Sequence, residues 1–219
     1  MMNLRKCLTA ALFVCAAAVT TAFAPSAASA APYTYTSEQY GYSIDCPQKP
    51  EGVIPASLLY ADKKGDVLIF ANDGYTIKKA WLILTDAFTD KDVPDLNKIS
   101  EADAKTLTQN LLTHNGYEKV EIVPINAKDK GLYAVTAKEI EIDTNGDGKP
   151  DTTAKADTQM VLTFFRGERG GHFAVELIDN PTLTQANIDE YRAGISTFKE
   201  SAPQKHAKQD KKADKTNKK

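Results

Sequence analysis

The chain has 219 residues, 42% of them hydrophobic and 26% charged, with a formal net charge of −2. Those values fit one globular domain with short appendages. They exclude a collagen, a multidomain machine and a disordered acidic chain.

Residues 1–30 read as a cleaved secretory signal. Arg5 and Lys6 give a positive start, Cys7 to Thr21 is an apolar run, and Ala28-Ser29-Ala30 offers a small-residue cleavage site before Ala31. The run is too short to cross a bilayer core of about 30 Å as a helix. Ala22-Phe23-Ala24 is a rival cleavage site, disfavoured by Pro25, and Val14 ahead of Cys15 argues against lipidation. The expected location is therefore outside the cytosol: periplasm, cell envelope or medium. Loss of Cys7 and Cys15 leaves Cys46 as the only cysteine, so no internal disulfide can form. A body of this length can bury roughly 70% of its unfolded surface without such a staple.

In the body, residues 31–202, Tyr42, Ile44 and Cys46 alternate with Ser43 and Asp45, the pattern of a half-buried strand that Pro47 ends. Asp66–Ala71 and Ala80–Thr85 are apolar on both parities and predict strands covered on both faces. The acidic stretch Asp86–Asp103 predicts a solvated loop entering a helix. Ser100 followed by Asp103 resembles a capping box, Ala104, Leu107 and Leu111 share one helical face, and Gly116 supplies a stop. Strands are expected at Lys119–Pro124, Leu132–Ile142, Thr158–Arg166 and His172–Ile178, with Gly167–Gly171 as a hairpin turn. In Leu132–Ile142 the apolar parity switches after Ala137, which predicts a bulge or a strand leaving the packed region. A helix over about Thr184–Lys199 carries Ile188, Tyr191, Ile195 and Phe198 on one stripe. Hairpin strands with two or three helices predict an α+β domain, an antiparallel β-sheet covered by helices.

Residues 203–219 carry seven lysines against Asp210 and Asp214, whereas residues 31–202 keep 18 basic against 27 acidic residues, a net −9. An acidic body argues against nucleic acid as a ligand. The tail lacks apolar residues and is expected to be disordered. It is either a solubilising appendage or an electrostatic tether to an anionic envelope surface.

Tyr40-Gly41-Tyr42-Ser43-Ile44-Asp45-Cys46-Pro47 resembles the opening strand of PsbP-like domains, and Ile195-Ser196-Thr197-Phe198-Lys199 resembles the end of their closing helix. The likeness spans about residues 33–200. Pro50-Glu51 stands where that family often has a tryptophan, and Trp81 lies elsewhere. The resemblance implies an α/β/α sandwich and a soluble accessory role beside a larger membrane or envelope complex, as PsbP plays at photosystem II. No residue here carries photosystem docking onto this chain.

Asp143-Thr144-Asn145-Gly146-Asp147-Gly148-Lys149-Pro150-Asp151 places side-chain oxygens at loop positions 1, 3, 5 and 9, with glycine at 6 and the Lys149 carbonyl at 7. Calcium takes six to eight oxygens, so Asp143, Asn145, Asp147, Lys149 and Asp151 are expected to hold one structural Ca2+. Ala154 stands where an EF-hand has its glutamate. The string is similar instead to the D-x-N-x-D-G-x-x-D loops of integrin-type β-propellers. The plainer alternative is a solvated hairpin loop built from Asn-Gly and Asp-Gly turns.

Cys46 shares strand parity with Tyr42 and Ile44 and reads as a core thiol. His172 and Glu176 share a strand face, but four residues at about 3.3 Å put them about 13 Å apart, too far for an acid–base pair. His114 and His206 complete three scattered histidines without zinc spacing. The leading expectation is therefore a non-enzymatic accessory or binding module of the envelope, its partner an envelope protein or membrane complex. The alternatives are a small secreted hydrolase or lyase assembled from distant residues, and a surface protein tethered by its basic tail.

Overall fold

A computed structural model describes residues 32–114, 116–142, 144–155, 159–180 and 183–202. The expected signal, the lysine tail and Asp143 lie outside the described residues. In chain order the elements are β1 (Tyr33–Ser37), β2 (Tyr42–Cys46), β3 (Gly52–Pro55), β4 (Lys64–Asn72), β5 (Ile77–Thr85), α1 (Glu101–His114), β6 (Tyr117–Pro124) and β7 (Lys130–Thr136). They continue with β8 (Glu139–Ile142), β9 (Thr152–Lys155), β10 (Met160–Arg166), β11 (His172–Asp179), α2 (Gln185–Ser196) and β12 (Lys199–Glu200). A single 3-10 turn, Ala56–Leu58, follows β3. No helix among the described residues is long and apolar enough to cross a membrane.

Seven strands form the main sheet in the order β3-β4-β5-β11-β10-β7-β6, every neighbouring pair antiparallel. A second sheet has the order β1-β2-β12, and β8 pairs only with β9. The expected α+β architecture is observed, mostly antiparallel sheet with two α-helices among the described residues.

Side-chain alternation along the central strands divides the core between two faces. On one face Leu68, Trp81, Ile83, Tyr133, Val161, Phe165, Phe173, Val175 and Leu177 pack against Tyr42, Ile44 and Cys46 of β2 and Tyr191 and Ile195 of α2. Gly194 lets α2 come that close, because a Cβ there would strike the Trp81 ring and the Asp45 carbonyl. Tyr191 Oη donates to the Val175 carbonyl at 2.7 Å and shares a second hydrogen bond with the Thr163 hydroxyl at 2.8 Å. Thr184 caps α2 by accepting the Asn187 amide at 3.2 Å.

The opposite face holds two separate clusters. Phe88, Val93, Leu96, Leu111 and Tyr117 cover Leu132, Ala134, Leu162, Phe164 and Ala174. Ala56 and Tyr60 cover Val67, Ala80, Leu82 and Ile178. α1 belongs to the first of these. Its start is the expected one, with Ser100 Oγ accepting the Asp103 amide at 3.1 Å and donating to Asp103 Oδ2 at 2.7 Å. Gly116, beyond the helix, has a φ of 67°, the left-handed conformation expected of the stop.

Three expectations need correction. The single strand over Leu132–Ile142 breaks at Ala137–Lys138 into β7 and β8; of the two outcomes the parity switch predicted, the chain leaves the packed region and pairs with β9. The closing helix stops at Ser196 instead of Lys199, with the Thr197 and Phe198 amides turning back onto Gly194 and Ile195 and β12 following. The acidic stretch before α1 is not merely solvated, since Phe88, Val93 and Leu96 are buried anchors between its charges.

Candidate functional site

The β8–β9 hairpin presents the predicted ion loop at its tip, with residues 144–151 exposed. Gly146 and Gly148 take φ values of 78° and 85°, where a side chain would be strained. Asn145 Oδ1 accepts the Asp147 amide at 2.9 Å, and Asp147 Oδ1 accepts the Lys149 amide at 2.8 Å. Asp151 accepts from the Thr144 hydroxyl at 2.6 Å and the Thr144 amide at 3.2 Å, which closes the loop at its mouth. That hydroxyl bond holds the Asp151 carboxyl below its ordinary pKa. The loop is therefore folded by its own oxygens, as consecutive turns. Among the described residues no three His, Cys, Asp or Glu side chains stand together as a metal cage. An ion at this tip would need Asp143 as its third carboxylate. Oxygens already accepting amides can serve too, because a carboxylate accepts at about four lone-pair positions.

At one end of the main sheet, β10 and β11 pair Arg166 with His172. The loop after β5 brings Asp90 to both. Asp90 Oδ1 meets His172 Nε2 at 2.6 Å and is ion-paired with Arg166. Those two partners, His172 first, hold the Asp90 carboxyl below its ordinary pKa. Phe88 lies edge-on to the His172 ring with centroids 4.9 Å apart. The adjoining hollow, lined by Phe88, Pro94, Asn97, Lys130 and Arg166, is about 10 Å³, the room of about one water molecule. This cluster fastens the loop to the sheet.

Sequence reasoning separated His172 from Glu176, and the structure keeps them apart on one face of β11. It brings His172 to Asp90 instead, a partner 82 positions away. The Cys46 thiol is buried, and burial pushes its pKa up to about 12. It is a core side chain and no nucleophile, as its strand parity indicated.

Glu176 was not marked as a site by sequence reasoning, although its neighbours carry the signal. The strand His172–Asp179 is apolar on both parities around it, as an inner strand is, so a lone carboxyl there must be buried. In the structure Glu176 is buried and its Oε1 has no hydrogen-bond partner. Desolvation pushes its pKa up to about 7.

The chain matches no protein-family model and no curated protein.

Proposed function

We propose that this protein is an exported, PsbP-like accessory domain that binds a larger complex of the cell envelope and carries a calcium ion on the β8–β9 loop. The observation that carries the reading is the meeting of the two segments behind the resemblance. The opening strand and the end of the closing helix are some 150 residues apart, yet β2 pairs with β12 and Tyr42 stacks on Phe198 with centroids 5.4 Å apart. α2 and the small sheet on one face of the main sheet, with α1 on the other, agree with the α/β/α layering that the resemblance implies. The reading as a binding module agrees with the use of Asp90, Arg166 and His172, which hold a loop to the sheet end.

Affinity capture of the tagged protein from envelopes of the source cell, with and without calcium, tests the reading. One membrane complex should co-purify in fixed ratio. Turnover of ester, glycoside or peptide substrates by the purified protein, with no complex retained, would overturn it in favour of the hydrolase alternative. Salt release of the protein from envelopes, abolished by deleting residues 203–219, would establish the tail as the tether.

The calcium is tested separately. Calcium at millimolar concentration, the range of extracellular sites, should raise the melting temperature, and Asp143→Ala and Asp147→Ala should each abolish the gain. An unchanged melt with no heat of binding removes the ion from the proposal.

A further inference from the structure

Glu176 lies on β11, the fourth strand of the seven, and so at the middle of the sheet. Its register partners are Leu82 on β5 and Leu162 on β10. Leu82 belongs to the cluster under the 3-10 turn, and Leu162 to the cluster under α1. The carboxyl therefore sits on the seam between the two pieces of chain that cover this face. A buried polar atom without a partner is rare in folded proteins, and this face holds one on the seam and another that feels its charge. Glu176 Oε1 and the Tyr117 hydroxyl are both buried and unpartnered.

The surroundings offer the carboxyl little compensation. Tyr60, beyond the 3-10 turn, and Tyr117 of β6 feel its charge from the covering side, and Tyr191 of α2 feels it through the sheet. All three are neutral phenols whose pKa values are raised, chiefly by burial. The charged groups on this face of the central strands are Lys78 on β5, Arg166 on β10 and His172 on β11. Each stands four residues from the Glu176 row, about 13 Å along the strand, and Arg166 and His172 are committed to Asp90. On β7, Lys130 lies at the strand end. The charged residues of α1, Glu101, Asp103 and Lys105, are exposed. No cation faces the carboxyl from β4, where Gly65, Val67 and Ile69 share its side of the sheet.

We propose that Glu176 is a proton-operated latch: uncharged, its carboxyl lets the two covering pieces close over the sheet, and loss of its proton loosens them along their seam. The step is an acid dissociation. The carboxyl O–H bond breaks, the proton passes to solvent water, and the carboxylate left behind draws water into the seam because no protein donor meets Oε1. A raised pKa agrees with this arrangement. The α2 face is not part of the device: its hydroxyls are tied into hydrogen bonds with Thr163 and Asp66, and its one unpartnered buried side-chain atom among the described residues, Trp81 Nε1, belongs to a side chain that carries no titratable charge. The inference goes beyond the envelope role and does not depend on it.

The test uses the full chain with carbon-13 at its glutamate carboxyls. One carboxyl resonance should titrate between about pH 6 and pH 8, well above free glutamate, and it should be missing in Glu176→Gln. If every glutamate titrates below about pH 5.5, the proposal is overturned, whether or not the variant folds. Amide exchange supplies the second readout. Corrected for chemical rate, exchange in residues 56–60 and 101–114 should rise several-fold above neutral pH in the wild type, while 185–196 stays unchanged. The rise should vanish in Glu176→Gln. A uniform rise in all segments, or an equal rise in the variant, would overturn the latch.

Discussion

The two faces of the main sheet are built on different principles. The α2 face is one continuous cluster in which rings interlock, with Trp81 edge-on to Phe70 and Tyr191 at centroid distances of 5.2 and 6.0 Å. Its buried hydroxyls are paired, Tyr42 donating to Asp66 at 2.6 Å and Tyr191 to Val175, and the atom it leaves unpartnered, Trp81 Nε1, carries no charge. The α1 face is two clusters meeting over a carboxyl, with Glu176 and Tyr117 each leaving a polar atom unsatisfied. Stability concentrates on the first face and responsiveness on the second. A protein that must stay folded while one surface yields needs both kinds of packing.

The comparison breaks most decisively at Trp81. Trp81→Ala should cost about 3–5 kcal/mol in urea unfolding, as for large aromatic truncations in rigid cores. A loss below about 1.5 kcal/mol would mean that the α2 face can collapse and is not the rigid one. Next comes Glu176 and its pH dependence. The folded acid binds its proton more tightly than the unfolded one, so its contribution is full below the unfolded pKa and is lost as pH rises through the folded value. A shift from 4.5 to about 7 corresponds to about 3 kcal/mol. Wild-type stability, measured against Glu176→Gln, should fall by that order between about pH 4.5 and pH 8, and parallel curves would deny the difference between the faces. Tyr191→Phe leaves the Val175 carbonyl without its donor and the Thr163 hydroxyl without its partner, and should cost about 1–1.5 kcal/mol, with no pH dependence near neutrality. The smallest effect is at the α2 cap. Thr184→Ala should cost about 1 kcal/mol, and faster amide exchange should be confined to the first turn of that helix.

The inner strands were legible because burial on both sides removes polar residues from both parities, as in Asp66–Ala71 and Ala80–Thr85. Both helices were legible, the first from its cap and stripe and the second from its stripe alone. β1 was not, because Tyr33–Ser37 alternates tyrosine with small hydroxyl residues and lies largely exposed at a sheet edge. β3 was missed because four residues ending in proline carry too little pattern. The loop before α1 misled through its composition: dense carboxylates hid Phe88, Val93 and Leu96, whose burial depends on a sheet formed by residues far downstream. The turns of residues 144–151 were legible from spacing alone because their hydrogen bonds are local, Asn145 to Asp147 and Asp147 to Lys149. The Asp90–His172 contact was not, because it exists only once β10, β11 and the loop are assembled. Glu176 lies between these cases. Its burial could be read from its neighbours, but the seam above it is a property of the fold.

Glu200 has a mechanical consequence. Its carboxylate accepts the amides of Arg169 at 2.7 Å and Gly171 at 3.1 Å, so the last strand is clasped to the β10–β11 turn as well as paired with β2. β1 and β12 run the same way on either side of β2, with Tyr33 opposite Cys46 and Glu200 opposite Tyr42. Tension applied between the two ends would therefore slide these strands lengthwise along β2, loading their hydrogen bonds together instead of unzipping them one by one. The same pull would have to draw the clasped carboxylate out of its turn, so a domain held at both ends would resist force at this small sheet before its main sheet felt any load.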